Sequence, residues 1–261
     1  MKKIITFVLI LAFLLTALTS CIRLVYTTPQ DSGNTQVPDN TSEKLINEVA
    51  PVLLPSNVVV SVTHYYYSGY ENSQGSGVVF NMDDHFLYIL TNSHVINNDD
   101  ATRSVFTVVD AYNNTYTASH VVDNEEYDLA VIRILRNKTN EVLSVAKIAA
   151  ENAPVDTAIL SIGNPGGVHN TVSLGKIIYM KNIENDALDI DVAYHTAPLR
   201  HGSSGGGIFN SAGELVGINY AMGVDSENGN QVSFAVPVAT IRQFLTKNML
   251  LPAEGPTDTV S

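Results

Sequence analysis

From residue 58 to residue 236 the chain is built of short β-branched and aromatic runs separated by turn-forming residues, and no long helical period interrupts them. Branched and aromatic side chains fit a pleated, half-buried surface, so these runs read as strands. They fall into two sets. The first holds residues 58–62, 77–80, 86–91, 105–109 and 129–134; the second holds 158–162, 171–179, 188–192, 207–209, 214–220 and 232–236. Residues 137–153 read as the crossover between them. After the last run, Val238, Ile241, Phe244 and Leu245 fall at helical spacing and predict an amphipathic helix within 238–250. Two successive groups of short strands and one closing helix predict an all-β protein of two antiparallel barrels packed on each other, with a cleft between them. No internal sequence repeat accompanies the division.

The ends of the chain do not share this pattern. Met1-Lys2-Lys3 and the apolar stretch 4–15 have the charged start and hydrophobic middle of a secretion signal. The stretch closes on Leu18-Thr19-Ser20-Cys21, which resembles the lipobox of bacterial lipoproteins. Cys21 is the single cysteine of the chain, so a disulfide has no second partner within it. The expectation is a lipid thioether at Cys21 that anchors an extracytoplasmic protein to the cell membrane. Residues 22–42, rich in Thr, Ser, Asn, Pro and Gly, read as a flexible tether. The expected units are therefore a signal peptide at 1–21, the tether, an N-terminal barrel at 43–140, a C-terminal barrel with its helix at 141–250, and a polar tail at 251–261. Within the first unit, residues 45–54 predict a short helix capped by Thr41 or Ser42 and ended by Pro55. The balance of 14 basic and 26 acidic residues, a formal charge of −12, argues against nucleic acid as a partner, because phosphate binding needs clustered Lys and Arg.

Serine-mediated hydrolysis needs a nucleophile, a base, an acid that orients the base, and donors for the oxyanion. Gly202-Ser203-Ser204-Gly205-Gly206 sets a serine among glycines, where the backbone can turn tightly and aim N–H groups at one point. Ser204 is the candidate nucleophile, with the N–H groups of Gly202 and Ser204 as oxyanion donors. These residues also satisfy the Gly-x-Ser-x-Gly nucleophile elbow of α/β-hydrolases, which takes its histidine after the serine. All seven histidines here, at 64, 85, 94, 120, 169, 195 and 201, precede Ser204. That excludes the elbow. In the remaining order the candidate base is His94, at the end of an apolar strand, and the candidate acid is Asp128, at the start of another. His195 and His201 read as loop residues. The acidic cluster Asp123, Glu125 and Glu126 reads as a solvated loop, with calcium as its alternative. No metal or cofactor is expected.

Thr91-Asn92-Ser93-His94-Val95-Ile96, Asp128-Leu129-Ala130-Val131 and Gly202-Ser203-Ser204-Gly205-Gly206 resemble the three catalytic motifs of trypsin-like peptidases. The supporting segments resemble the HtrA/DegP branch: Gly75-Ser76-Gly77-Val78-Val79, Gly163-Asn164-Pro165-Gly166-Gly167, Asn210-Ser211-Ala212-Gly213-Glu214 and Phe234-Ala235-Val236-Pro237. The likeness spans about residues 45 to 247. It implies two six-stranded barrels of the chymotrypsin-like kind and a triad in which Ser204 attacks, His94 shuttles the proton and Asp128 holds the imidazole tautomer. It also implies a primary pocket between Pro198-Leu199-Arg200 and Asn219-Tyr220-Ala221-Met222. Neither segment contains an acid, so the expected preference is for small or medium aliphatic side chains. Three departures stand out. No PDZ domain follows the barrels, Ser203 replaces the aspartate that digestive enzymes pair with a new amino terminus, and Tyr220 occupies a place where the family often has a small hydroxyl residue. The expected function is a serine endopeptidase acting on exported or surface polypeptides. The alternative is a catalytically silent peptide-binding or chaperone-like protein on the same scaffold.

Overall fold

In the computed structural model, residues 25–27, 39–185, 188–224 and 229–251 are described. The expected secretion signal, Cys21 and the expected tail beyond residue 251 lie outside them. The chain opens with β1 (Val25–Thr27) and a helical segment made of α1 (Asp39–Lys44), a wide turn (Leu45–Val49), α2 (Ala50–Leu53) and a tight turn (Leu54–Ser56). The predicted tether is thus structured at 25–27, where β1 pairs in parallel with residues 171–173. The helical segment also begins at Asp39, ahead of the expected caps. Its middle turn is widened, with the Ala50 N–H reaching back to the Leu45 carbonyl. Pro51 follows directly and brings no N–H of its own to the ladder.

Six antiparallel strands close the first barrel: β2 (Asn57–Tyr66), β3 (Gly69–Met82), β4 (Phe86–Thr91), β5 (Arg103–Val109), β6 (Thr115–Asn124) and β7 (Leu129–Leu135). A one-turn helix, α3 (Ser93–Ile96), follows β4. The second barrel holds β8 (Ala158–Gly163), β9 (Thr171–Asn185), β10 (Leu188–His195), β11 (Gly207–Phe209), β12 (Leu215–Val224) and β13 (Gln231–Pro237). It closes where β8 pairs with β9. The last helix, α4 (Val238–Lys247), buries Val238, Ile241, Phe244 and Leu245, the four positions its spacing marked.

Strand alternation divides the apolar residues between two jobs. On β7, Ala130, Ile132 and Ile134 fill the first barrel, while Leu129 and Val131 face the second. On β8, Ile159 points into the second barrel, while Leu160 and Ile162 face the first. The shared seam also takes in Leu45, Leu53, Phe80, Phe209 and Phe244, so the N-terminal helical segment and α4 seal the two barrels from outside. One wall of the cleft therefore comes from each barrel.

Candidate active site

His94 sits in α3, just beyond the apolar strand β4, and Asp128 sits just before β7, the neighbour of β4 in the sheet. The pairing of Thr91 with Ala130 brings the two ends together. Asp128 has φ +49°, in the left-handed region that aspartate tolerates better than most residues. Its carbonyl accepts from Asn92 Nδ2 at 2.8 Å and its N–H donates to the Glu125 carbonyl at 3.1 Å. Its carboxylate is held at both oxygens: Oδ1 accepts the His94 backbone N–H at 3.0 Å, and Oδ2 lies 2.8 Å from His94 Nδ1. That second contact favours the tautomer with the proton on Nδ1 and leaves Nε2 as the acceptor. The carboxylate side chain is 16 % exposed and the imidazole 50 %, so the base stays open to the cleft while its partner is shielded.

Ser204 comes from the opposite wall, on the loop between β10 and β11. Its Oγ donates to the Tyr220 carbonyl at 3.3 Å. Ser204, His94, Leu199, Tyr220, Ala221 and Met222 line one open cavity of about 290 Å³. The loop around Ser204 is tied at nearly every peptide. Ser203 N–H donates to the Arg200 carbonyl, Gly205 N–H to Asn219, and Gly206 N–H to Ser203. The His201 carbonyl accepts from Gly166 N–H at 2.9 Å, which turns the 201–202 peptide so that its own N–H points the other way. Gly202 has φ +93°, and a Cβ there would stand 2.9 Å from the Asn164 carbonyl oxygen. Among the described residues, the N–H groups of Gly202 and Ser204 have no acceptor in the protein. Two free donors beside a serine are what an oxyanion requires.

The remaining expected pocket residues divide. Leu199, Tyr220, Ala221 and Met222 reach the cavity of Ser204, and Pro198 lines a larger adjoining one of about 1120 Å³ behind the 198–203 segment. Asn219 does not reach either. It is fully buried and donates from Nδ2 to Ser161 Oγ at 2.9 Å, because β12 is irregular between Asn219 and Ala221 and the Asn219 side chain turns into the second barrel. His195 is likewise no loop residue: it ends β10 and is fully buried. Arg200, from the segment expected to bound the pocket, and His201, expected to be a loop residue only, line both cavities. Tyr220 contacts Phe234, with ring centroids 6.1 Å apart. Burial first, then the nearby Tyr194 and Asp128, push its hydroxyl up to about 12, so it stays neutral beside the carboxylate.

Comparison with known proteins follows the same lines. A family model described as a trypsin-like peptidase domain matches residues 75–218, a span that holds His94, Asp128 and Ser204. The chain belongs to the trypsin-like peptidase family. It is 32 % identical over 222 residues to the serine endoprotease DegS of Haemophilus influenzae, covering 80 % of this chain and 62 % of that protein. It is also 32 % identical over 179 residues to a probable periplasmic serine endoprotease, DegP-like, of Brucella suis, covering 66 % of this chain and 32 % of the relative. The chain thus spans about a third to three fifths of the length of these curated relatives. Among solved structures, the active form of the Rv3671c protease from M. tuberculosis superposes with a TM-score of 0.64 at 19 % identity, covering 90 % of this chain and 93 % of that one. That likeness is one of fold.

Proposed function

We propose that this trypsin-like peptidase is a serine endopeptidase that works through an acyl-enzyme on Ser204. The observation that carries the reading is the meeting of the His94–Asp128 pair of one barrel with Ser204 and two free N–H groups of the other, in a single cavity. In this mechanism Ser204 Oγ turns from the Tyr220 carbonyl to His94 Nε2 and attacks the scissile carbonyl as its proton passes to the imidazole. The oxyanion is received by Gly202 and Ser204 N–H, and the imidazolium, steadied by Asp128, returns the proton to the leaving amine. Water then repeats the sequence and frees Ser204.

The substrate backbone lies along residues 220–222 of β12. Ala221 and Met222 pair with β13 on one edge, and on the other the pairing with β11 ends at Ile218, which leaves an edge for an added strand. The adjoining pocket presents Leu199, Ala221 and Met222 and no carboxylate. A lysine or arginine would be buried there without a counter-charge, so cleavage is expected after Val, Ala or Leu. Profiling the products of a denatured protein mixture tests this. Cleavage that follows Arg, Lys or Glu instead would overturn the pocket assignment.

The polypeptides reached are those outside the cytoplasm. The charged and apolar start of the chain and the lipobox-like Leu18–Cys21 segment support export and a lipid anchor on Cys21, and the DegP-like relative is described as periplasmic. Cys21→Ser is expected to leave an unprocessed precursor or to release the protein from the membrane fraction. Unchanged processing and retention would rule the anchor out.

A further inference from the structure

Ser76 lies on β3 of the first barrel, fully buried, at the centre of the Gly75-Ser76-Gly77 segment. Its backbone N–H donates to the Ser204 carbonyl at 2.7 Å, and its hydroxyl donates to the Gly202 carbonyl at 2.7 Å. The same hydroxyl accepts the Asn164 backbone N–H at 2.8 Å, and the Ser76 carbonyl accepts from Thr91 Oγ1 at 2.7 Å. One residue of the opposite barrel thus holds the carbonyls on both sides of Ser203. The glycines around it make room for this approach: a Cβ on Gly75 would stand 2.9 Å from the Ser204 carbonyl oxygen, and one on Gly205 would meet the Ser76 carbonyl itself.

The consequence is directional. Each peptide carries its N–H opposite its carbonyl, so fixing the carbonyls of Gly202 and Ser204 against β3 limits how residues 202–204 can rotate. The 201–202 peptide is held separately by Gly166, and the 203–204 peptide by Gly206. Ser76 joins these restraints to a rigid strand of the other barrel. Asn164 completes the link, since its Nδ2 donates to the Val58 carbonyl at 2.8 Å while its N–H serves Ser76 Oγ.

Resting on the endopeptidase reading above, we infer that Ser76 is a positioning residue for the reaction, holding the nucleophile loop so that the Gly202 and Ser204 N–H groups face the developing oxyanion. It touches no substrate. Its effect falls on the transition state, where the oxyanion forms, and leaves ground-state binding in the cleft untouched.

Ser76→Ala is expected to lower kcat by roughly ten- to a hundredfold with KM within about threefold, short of the 10²–10³ lost when an oxyanion donor is deleted outright. A peptide boronate, whose tetrahedral adduct places an oxygen in the same hole, should lose affinity by a matching factor. Ser56→Ala, which removes a buried hydrogen bond to the Leu53 carbonyl in the turn before β2, is the structural control: it is expected to lower the thermal midpoint without shifting kcat or boronate affinity. Should Ser76→Ala not fold, Ser76→Cys keeps the volume with a weaker donor and carries the same comparison. Unchanged kcat and boronate affinity in a folded Ser76 variant would overturn the proposal, and so would losses in both Ser76 and Ser56 variants that simply track their thermal midpoints. A wild-type protein that neither turns over peptides nor binds the boronate would fail the endopeptidase reading itself, before Ser76 enters.

Discussion

The two barrels share a strand count but not an interior. The first is filled by Val58, Val60, Val62, Leu87, Ile89, Val108, Ile132 and Ile134, all buried and all apolar. Its buried imidazole, His64, has a partner in Ser104 at 2.9 Å, and the unsatisfied Asn92 Oδ1 lies beyond the end of β4. The second is filled by isoleucines and alanines, among them Ile159, Ile177, Ala193 and Ala235, and alternation places Ser161, Ser173, His195 and Ser233 on the same inward side. Here the polar atoms are not all satisfied. Neither ring nitrogen of His195 has a hydrogen-bond partner, and nor does Asn219 Oδ1; the two side chains lie near each other without forming a bond of good geometry. On the proposed function, the first barrel presents the His94–Asp128 pair and the second leaves room beside β12 for a substrate side chain.

The contrast can be broken most strongly from the first barrel. Ile132→Ala removes most of a fully buried side chain from a close-packed apolar interior and is expected to cost about 2–5 kcal/mol of unfolding free energy. His195→Phe acts on the second barrel and in the opposite direction. Replacing an unpartnered buried ring with an apolar one of similar size is expected to raise stability by about 1–3 kcal/mol at neutral pH. Denaturant titration of both variants measures the pair; equal losses would mean that the interiors do not differ as described.

The contrast between the interiors also shows in the pH dependence. Burial lowers the pKa of His195 from 6.5 to about 3. Below pH 6.5 the unfolded chain binds a proton that the folded protein refuses, so the folded state loses ground as pH falls from 6.5 towards 3, by up to about 1.4 kcal/mol per pH unit from this group. Above pH 6.5 His195 is neutral in both states and contributes no slope. The His195→Phe variant should therefore show a flatter acid limb than the wild type, with the two curves parallel above pH 7. Parallel curves throughout would mean that His195 takes up its proton in the folded state.

Much of this architecture was legible in the residue pattern, and what was not has local causes. The run 129–134 announces a strand because it is apolar on both faces, one filling a barrel and the other the seam, and 58–62 does so through Val58, Val60 and Val62, which fill the same barrel. The strand Thr115–Asn124 went unrecognised because it lies half exposed and its polar residues dilute the alternation. His94 and Asp128 stood out because they flank apolar strands, and Ser204 because glycines surround it. Asn219 was misplaced because the irregularity after it shifts which side chain faces the cleft, and a bulge leaves no mark in composition. Ser76 was visible as part of a motif, but its hydrogen bonds join residues 126 positions apart, a relation that only the fold creates.

On the proposed mechanism, Ser204 of one barrel is activated by His94 and Asp128 of the other. Reaction with a fluorophosphonate probe, followed by mapping of the modified peptide, tests it most directly. The account predicts one adduct, on Ser204, formed rapidly by the wild-type protein and lost in a folded His94→Ala variant. An adduct on another residue, or labelling of Ser204 at the same rate without His94, would contradict it.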